Sequence, residues 1–416
     1  MQTFTRILLF LLLLFASGAG QAFFVSASTS TSSEGQPVTQ VALSLIYLIL
    51  FVVIMKKYRK TALFFIQKEK WTLIICLWAL ASTVWSAGPG GTLRHALALV
   101  GTSIAGLYIG MRYEPKQQLK MFALVIGLGA IASLAAGLLL PGVGFTPDGS
   151  WQGVYHLKNA LGRMMALGVL CLGIQILDQR RHRVVRVGMF LLCCGLLFLS
   201  QSATAVVVTF LMLAMLPFRK FLYLRVRPLI ILATVVALFA ATAGFWLFEN
   251  SDKLFLALGR SSSLTGRIPL WGYVVNEIAA RPLLGYGFTA FWTSWEGERV
   301  SDAVNWEAAV PHAHNGFLEI WLGLGIIGLV FLLMSFWSNL RIGIRVAKRR
   351  PALDQSWPLL FLAFTVFYNF TETSFLGSNS LLWMAYVANS FWLIRTVEEE
   401  KYASELNEEL EPAYSA

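Results

Sequence analysis

Charge is what this sequence has least of. Only 13 % of its 416 residues are Asp, Glu, Lys or Arg, about half the roughly 25 % carried by a soluble domain. Hydrophobic residues make up 57 %, with a mean hydropathy of +0.65, and that balance excludes an ordinary water-soluble protein. Cysteine is also scarce. Cys76, Cys171, Cys193 and Cys194 all lie in apolar runs with no partner at metal-ligand spacing, so disulfide frameworks, redox motifs and structural zinc drop out. A single basic domain is missing too. The formal charge of +11 comes from 33 Lys and Arg set in short clusters between apolar runs, which argues against a nucleic-acid partner. Residues 397–416 hold seven Glu and one Lys. This acidic tail reads as a solvated cytoplasmic extension without fixed structure.

What is abundant is apolar runs of bilayer length, about 20 residues each. Twelve spans are predicted, at 5–25, 38–55, 71–87, 92–111, 119–140, 159–177, 185–200, 203–218, 228–248, 312–338, 356–371 and 378–396. The connections 56–70, 112–120, 178–186, 219–227 and 341–355 carry 6, 3, 4, 4 and 5 Lys plus Arg. The alternate connections 26–37, 88–91, 141–158, 201–202, 249–311 and 372–377 carry 0, 0, 1, 0, 5 and 0. The positive-inside rule then puts both termini in the cytoplasm. The expected fold is all-α and polytopic. It divides into spans one to nine (1–248), an extracytoplasmic segment (249–311), spans ten to twelve (312–396) and the tail (397–416). Arg6, the apolar run 7–15 and the small residues up to Ala22 also fit a secretory signal; retention as a first span is the reading adopted.

Ionisable groups inside spans are costly and mark function by default. Here they gather at the outer ends. Lys158 and Arg163 open span six, His314 and Glu319 open span ten, Glu372 closes span eleven, and Arg94 and His95 open span four. A transporter more often sets such groups near the midplane. An outward-facing reaction centre fits better. The outer segment 249–311 has a net charge of −2 and nine aromatics, including Trp271, Trp292, Trp295 and Trp306. Thr265 is placed to cap a helix from Arg267 to Ala280 whose Leu270, Trp271, Val274, Val275 and Ile278 form an apolar surface. Arg281-Pro282 stops it, and Gly285-Tyr286-Gly287 reads as a tight turn. This predicts an interfacial helix against the membrane, followed by a lid.

The densest chemistry lies in Pro311-His312-Ala313-His314-Asn315. Histidine titrates near neutrality and suits a general base; the alternative is that both His residues cap span ten. Arg267, Lys158, Arg163 and Arg281 offer fixed positive charge where a diphosphate leaves, although Arg281 before Pro282 looks like a snorkelling residue. No outer segment has paired Asp residues at ligand spacing, so chemistry without metal or other cofactor is expected.

Residues 265–271 (TGRIPLW), 281–287 (RPLLGYG) and 312–319 (HAHNGFLE) together resemble the signature of the O-antigen ligase and Wzy-type polymerase superfamily. Residues 153–162 (GVYHLKNALG) and 199–205 (LSQSATA) resemble its ExoQ-like exopolysaccharide-polymerase branch, and 369–372 (NFTE) resembles the end of that domain. The resemblance implies a GT-C-type, metal-independent inverting glycosyltransferase on the periplasmic face of a bacterial inner membrane. Its donor would be an undecaprenyl-diphosphate-linked oligosaccharide. It implies that His314 activates or positions the acceptor and that Arg267, with Lys158 and Arg163, binds the donor diphosphate. Asn315, Glu319, His312, Asn159, Trp271 and Glu372 complete the expected substrate contacts. Two departures stand out: no Arg lies in 200–205, where ligases commonly carry one, and Leu157 rather than His156 precedes Lys158-Asn159. The first favours a polymerase of repeat units over a ligase acting on lipid A core or protein. A transporter or lipid flippase is the rival from another class. Membrane lipid is an expected partner, and a polysaccharide copolymerase and a flippase are partners by resemblance.

Overall fold

The computed structural model describes residues 2–25, 37–147, 149–178, 181–218, 267–304 and 310–414. Predicted span nine (228–248), the stretch 249–266 with Thr265 and Gly266, and Trp306 lie outside the described residues. The described helices are Gln2–Ala16 (α1), Gln21–Val25 (α2), Pro37–Val53 (α3), Arg59–Lys68 (α4), Lys70–Ala81 (α5), Pro89–Arg112 (α6), Pro115–Leu139 (α7) and Pro141–Gly144 (α8). Then come Lys158–Asp178 (α9), Arg183–Leu199 (α10), Ala203–Phe218 (α11), Arg267–Ala280 (α12), Trp295–Val304 (α13), Gly316–Arg349 (α14), Trp357–Asn369 (α15) and Leu381–Tyr414 (α16). Among the described residues there is no strand, and Phe145 and Trp151 form an isolated β-bridge.

Local chemistry sets the helix ends. Pro89, Pro115 and Pro358 sit in first turns, where their missing N–H costs nothing. Glu114 caps α7 in a reciprocal box with Gln117, whose side chain accepts from the Glu114 amide at 3.0 Å; this satisfies two orphan donors at once. Gly106 and Gly110, one turn apart on α6, let α16 approach its backbone. A methyl group at either would run into Val387 or Phe391. Close approach through small residues is how helices associate where lipid removes the hydrophobic drive.

Among the described residues, five helical stretches are long and apolar enough to cross a membrane: Gln40–Lys68, Pro89–Arg112, Pro115–Leu139, Lys158–Asp178 and Gly316–Arg349. Predicted span one is not continuous. Its helix stops at Ala16, and Gly18 and Gly20 turn with φ of +80° and +94°, after which Gly20 and Ala22 donate to the Val154 carbonyl. Leu9, Leu12 and Leu13 of α1 are buried in the main core. The tail also differs from expectation, because α16 runs on through it to Tyr414. Its Glu and Lys are good helix formers. Lys68 pairs with Glu398, and Arg349 and Arg350 both hold Glu400, at 3.3, 2.8 and 3.1 Å.

The helix 267–280 forms where the sequence places it, but its apolar face meets protein. Leu270, Val274 and Ile278 are buried against Tyr286, Phe291, Val300, Ala313 and Leu322, while Val275 is exposed. Span ten is broken. At Gly325 φ is +69° and ψ −179°, a conformation open essentially to glycine alone, and a Cβ there would overlap the Leu283 carbonyl. The turn 282–287 lies in the gap. Tyr286 and Gly287 donate to the Leu322 and Gly323 carbonyls, Trp78 Nε1 donates to Leu324 O, and Ile326 donates to Pro282 O, all at 2.9–3.0 Å. Three carbonyls and one amide at the break thus find partners, as low-dielectric surroundings demand.

Candidate functional site

Four segments meet at one carboxylate. Trp357–Asn369 ends in a turn built by Asn369, whose Oδ1 accepts from the Ser374 and Phe375 amides at 2.7 and 3.1 Å. Its Nδ2 donates to Thr365 O and Ser374 Oγ, both at 2.7 Å. That turn presents Glu372. Arg267, at the start of α12, donates to Glu372 Oε1 at 2.9 Å and to Thr371 O at 2.7 Å. Asn159, in the first turn of α9, donates to the same Oε1 at 3.0 Å. Thr371 Oγ1 donates to Thr204 of α11 at 3.0 Å. The second oxygen, Oε2, lies 3.5 Å from His314 Nδ1. The Arg267, Glu372 and His314 side chains are only 14, 6 and 13 % exposed, so the charges meet in a largely dry setting where their interaction is strong.

The loop before α14 is held from both sides. Asn315 caps the helix, accepting from the Phe317 and Leu318 amides at 3.0 and 3.1 Å, and donates to Phe370 O at 3.1 Å. Glu319 Oε2 accepts the Ala313 amide at 2.7 Å, and Trp292 Nε1 donates to both Glu319 oxygens at 3.0 and 3.1 Å. From α12, Trp271 Nε1 donates to Ala313 O at 2.9 Å. His314 is left with φ of +49°, a strained backbone for a residue with a side chain. Its ring stands 4.2 Å from that of His312, centroid to centroid. The His312 Nδ1 accepts from the His314 amide at 3.2 Å.

Electrostatics separates the roles of these groups. Burial, then the neighbouring His314, pushes the His312 imidazole down to about 3, with Arg163 and Arg267 adding to the effect. It is therefore neutral at any working pH. Burial would raise the Glu372 carboxyl, but the His314 hydrogen bond and the Arg267 charge outweigh it and hold the group below its usual range. Glu372 is a carboxylate here.

The sequence-predicted residues fall into three sets. Arg267, Asn159, His314 and Glu372 come together directly, with His312 beside them. Arg163 lies one helical turn after Asn159, and its Nε is enclosed without a hydrogen-bond partner; no carboxylate pairs with Arg163 among the described residues. Lys158 stands further along, its Nζ donating to Ser150 Oγ at 3.4 Å. Glu319, Trp271 and Asn315 spend these polar groups on the loop and the helix start. Arg281 pairs with Glu296 at 3.8 Å and stacks 4.4 Å over the Tyr286 ring. Sequence reading missed Asn369, Thr204 and the Trp292–Glu319 pair. The NFTE run at the end of an apolar segment was the available signal for the first.

His312, His314 and Glu372 also present one ligand atom each within 4.8 Å of one another. Two imidazoles and a carboxylate could take a divalent ion. The fit is poor in charge, because Arg267 already neutralises that carboxylate and the Arg163 guanidinium adds a second positive field. A dication there would displace or confront both.

Comparison with known proteins follows the same residues. A family model described as O-antigen ligase matches residues 188–333. The chain is 29 % identical over 281 residues to the exopolysaccharide production protein ExoQ of Rhizobium meliloti (strain 1021), covering 64 % of this chain and 62 % of that one. It is 30 % identical over 130 residues to a candidate polysaccharide ligase of Rickettsia prowazekii (strain Madrid E), covering 30 % of this chain and 32 % of that one. A similar candidate ligase of Rickettsia felis is 33 % identical over 98 residues, covering 22 and 24 % of the two chains. In each case the match spans less than two thirds of the relative. Arg267 and the His312–Glu319 block lie inside the matched family segment, whereas Asn159, Arg163 and Glu372 lie outside it. Across residues 188–333 the chain is thus similar to the O-antigen ligase family.

Proposed function

We propose that the protein is a twelve-span, GT-C-type glycosyltransferase of the bacterial inner membrane that polymerises undecaprenyl-diphosphate-linked repeat units at the periplasmic face. The observation that carries the reading is His314 beside Glu372, with Arg267 on the carboxylate's other oxygen. A proton on His314 Nδ1, facing Glu372, leaves the Nε2 lone pair free to receive one. An orienting carboxylate behind an imidazole base is the arrangement of activated-hydroxyl chemistry.

In the proposed reaction, His314 takes the proton of an acceptor hydroxyl as that oxygen attacks the donor's anomeric carbon. A new C–O bond forms, the bond to the diphosphate breaks with inversion, and undecaprenyl diphosphate leaves. Lys158 and Arg163, with the charge of Arg267, stabilise the leaving oxygens; His314 then returns its proton to the medium. General-base help of this kind contributes about 10²–10⁴-fold. Chemistry without metal is part of the proposal, supported by the charge that Arg267 already supplies to Glu372. A copolymerase and a flippase remain proposed partners.

The family description and the Rickettsia names favour a second reading, a ligase moving a finished glycan to lipid A core or protein. A transporter fits less well, because Glu319, the acidic group deepest in span ten, is tied to Trp292 and Ala313. The deciding experiment supplies purified protein with a synthetic lipid-diphosphate oligosaccharide in EDTA. A ladder of products that disappears in His314→Ala supports the polymerase. Transfer only after lipid A core is added moves the assignment to the ligase.

A further inference from the structure

At the other end of the bundle lies a second polar site. From Thr92, whose Oγ1 donates to Phe288 O, α6 runs to Arg112 about 30 Å away at 1.5 Å per residue. There a cavity of about 140 Å³ opens between α1, the α3–α4 junction and the α6–α7 turn. Arg6, Lys57 and Arg112 line it together with Tyr58, Tyr108 and Tyr113, and no Asp or Glu contributes to its wall. Glu114, which follows directly in sequence, is taken by Arg395 and Trp392. Among the described residues no carboxylate pairs with any of the three cations.

Two features make this more than a basic surface. Lys57 Nζ and the Arg112 guanidinium lie 5.4 and 5.3 Å from the centre of one ring, that of Tyr58. Like charges gathered on one aromatic without a counterion repel, and an anion between them removes the cost. The backbone also departs from α geometry here, with a π-helical turn at Ile54–Tyr58. Such turns are rare and concentrate at functional sites. This one carries Lys57 and Tyr58, and it brings the Tyr58 ring 6.4 Å from that of Tyr108 on α6.

We propose that this cavity binds a phosphate group, supplied by the headgroup of an anionic membrane phospholipid. Guanidinium and ammonium groups with phenol hydroxyls are the donors a phosphate diester needs. The lipid source follows from what flanks the cavity. Ile7 and Leu11 of α1 and Leu48, Phe51 and Val52 of α3 all expose their side chains, forming apolar faces that acyl chains would cover while the headgroup reaches the cations. Basic recesses between membrane helices hold anionic lipids in this way.

The test uses the full chain in discs of neutral phosphatidylcholine and reads the thermal unfolding midpoint. Phosphatidylglycerol and inorganic phosphate are added in separate arms, against chloride at matched ionic strength. Phosphatidylglycerol should raise the midpoint by several degrees, and Lys57→Gln/Arg112→Gln should lose that rise. Should the double variant unfold, Arg6→Gln and Lys57→Gln singly are compared by the phosphatidylglycerol retained in native mass spectra, which should fall several-fold. Inorganic phosphate reproducing the whole shift, with lipid adding nothing, would keep the phosphate site and overturn its lipid source. No shift with either probe, or equal shifts in wild type and variant, would overturn the site.

Discussion

His314 Nδ1 stands 3.5 Å from Glu372 Oε2, joining a loop that opens one helix to a turn that closes another. Glu372→Gln removes the charge that orients the imidazole and leaves Arg267 without its counterion. Chain extension should fall by about 10²–10⁴-fold in a purified assay of ladder formation. Full activity in this variant would remove Glu372 from the mechanism.

Arg267→Ala and Arg267→Lys should separate charge from geometry. Alanine leaves Glu372 without its guanidinium partner in a site only 6 % exposed, a loss of about 3–5 kcal/mol for one partner of a buried pair. Lysine keeps the charge but cannot reach both Glu372 and Thr371 as the planar fork does. Thermal melts should rank wild type above Lys above Ala; equal melting of Lys and wild type would show that the fork is dispensable.

Acid should destabilise the protein through His312 and Glu372 in the same direction. His312 titrates at about 3 in the fold and near 6.5 when unfolded. The unfolded chain therefore binds the extra proton, and stability declines as pH falls from about 6.5 toward 3. Glu372, held below its usual range, contributes stability above its unfolded value that is lost as pH falls through its folded one. Unfolding midpoints across this range should drop less steeply in His312→Gln. An unchanged slope would mean that His312 is protonated in the native site.

Glu319→Gln should leave donor binding intact and slow turnover, because Glu319 fixes the Ala313 amide between the two histidines. Misplacement by about 1 Å can cost about 10²-fold. The effect should appear in kcat with KM unchanged; a rise in KM alone would return Glu319 to the substrate.

Gly325→Ala should prevent stable folding, since φ is +69° and the Leu283 carbonyl occupies the place of the methyl group. Gly90→Ala, with nothing within 4 Å of its added carbon, is the matched control. Equal thermal midpoints for the two would mean that the break in α14 relaxes freely.

Much of this was legible in the sequence, for reasons that differ by residue. The helix 267–280 was readable because Arg281-Pro282 stops it, and His314 because a polar run interrupts an apolar one. The buried side of α12 was not readable, since Leu270, Val274 and Ile278 look the same facing lipid or protein. The break at Gly325 was hidden inside an apolar run, where glycine is common and only the intruding Leu283 carbonyl reveals its role. The acidic tail misled through its net charge, while its helix is continuous with α16 and is tied down by Arg349 and Arg350. Glu372 could be singled out as a charge at a span end. Its meeting with Asn159 and Arg267 depends on packing between distant segments.

The same meeting has a consequence for how the protein is made. Asn159, Arg267 and His314 leave the ribosome first, and the carboxylate that joins them arrives only with residue 372. Until then the growing chain holds two cationic helix starts without the carboxylate they share. The site is thus completed late in synthesis, and under the proposed function a chain stopped just before residue 372 should enter the membrane yet remain inert.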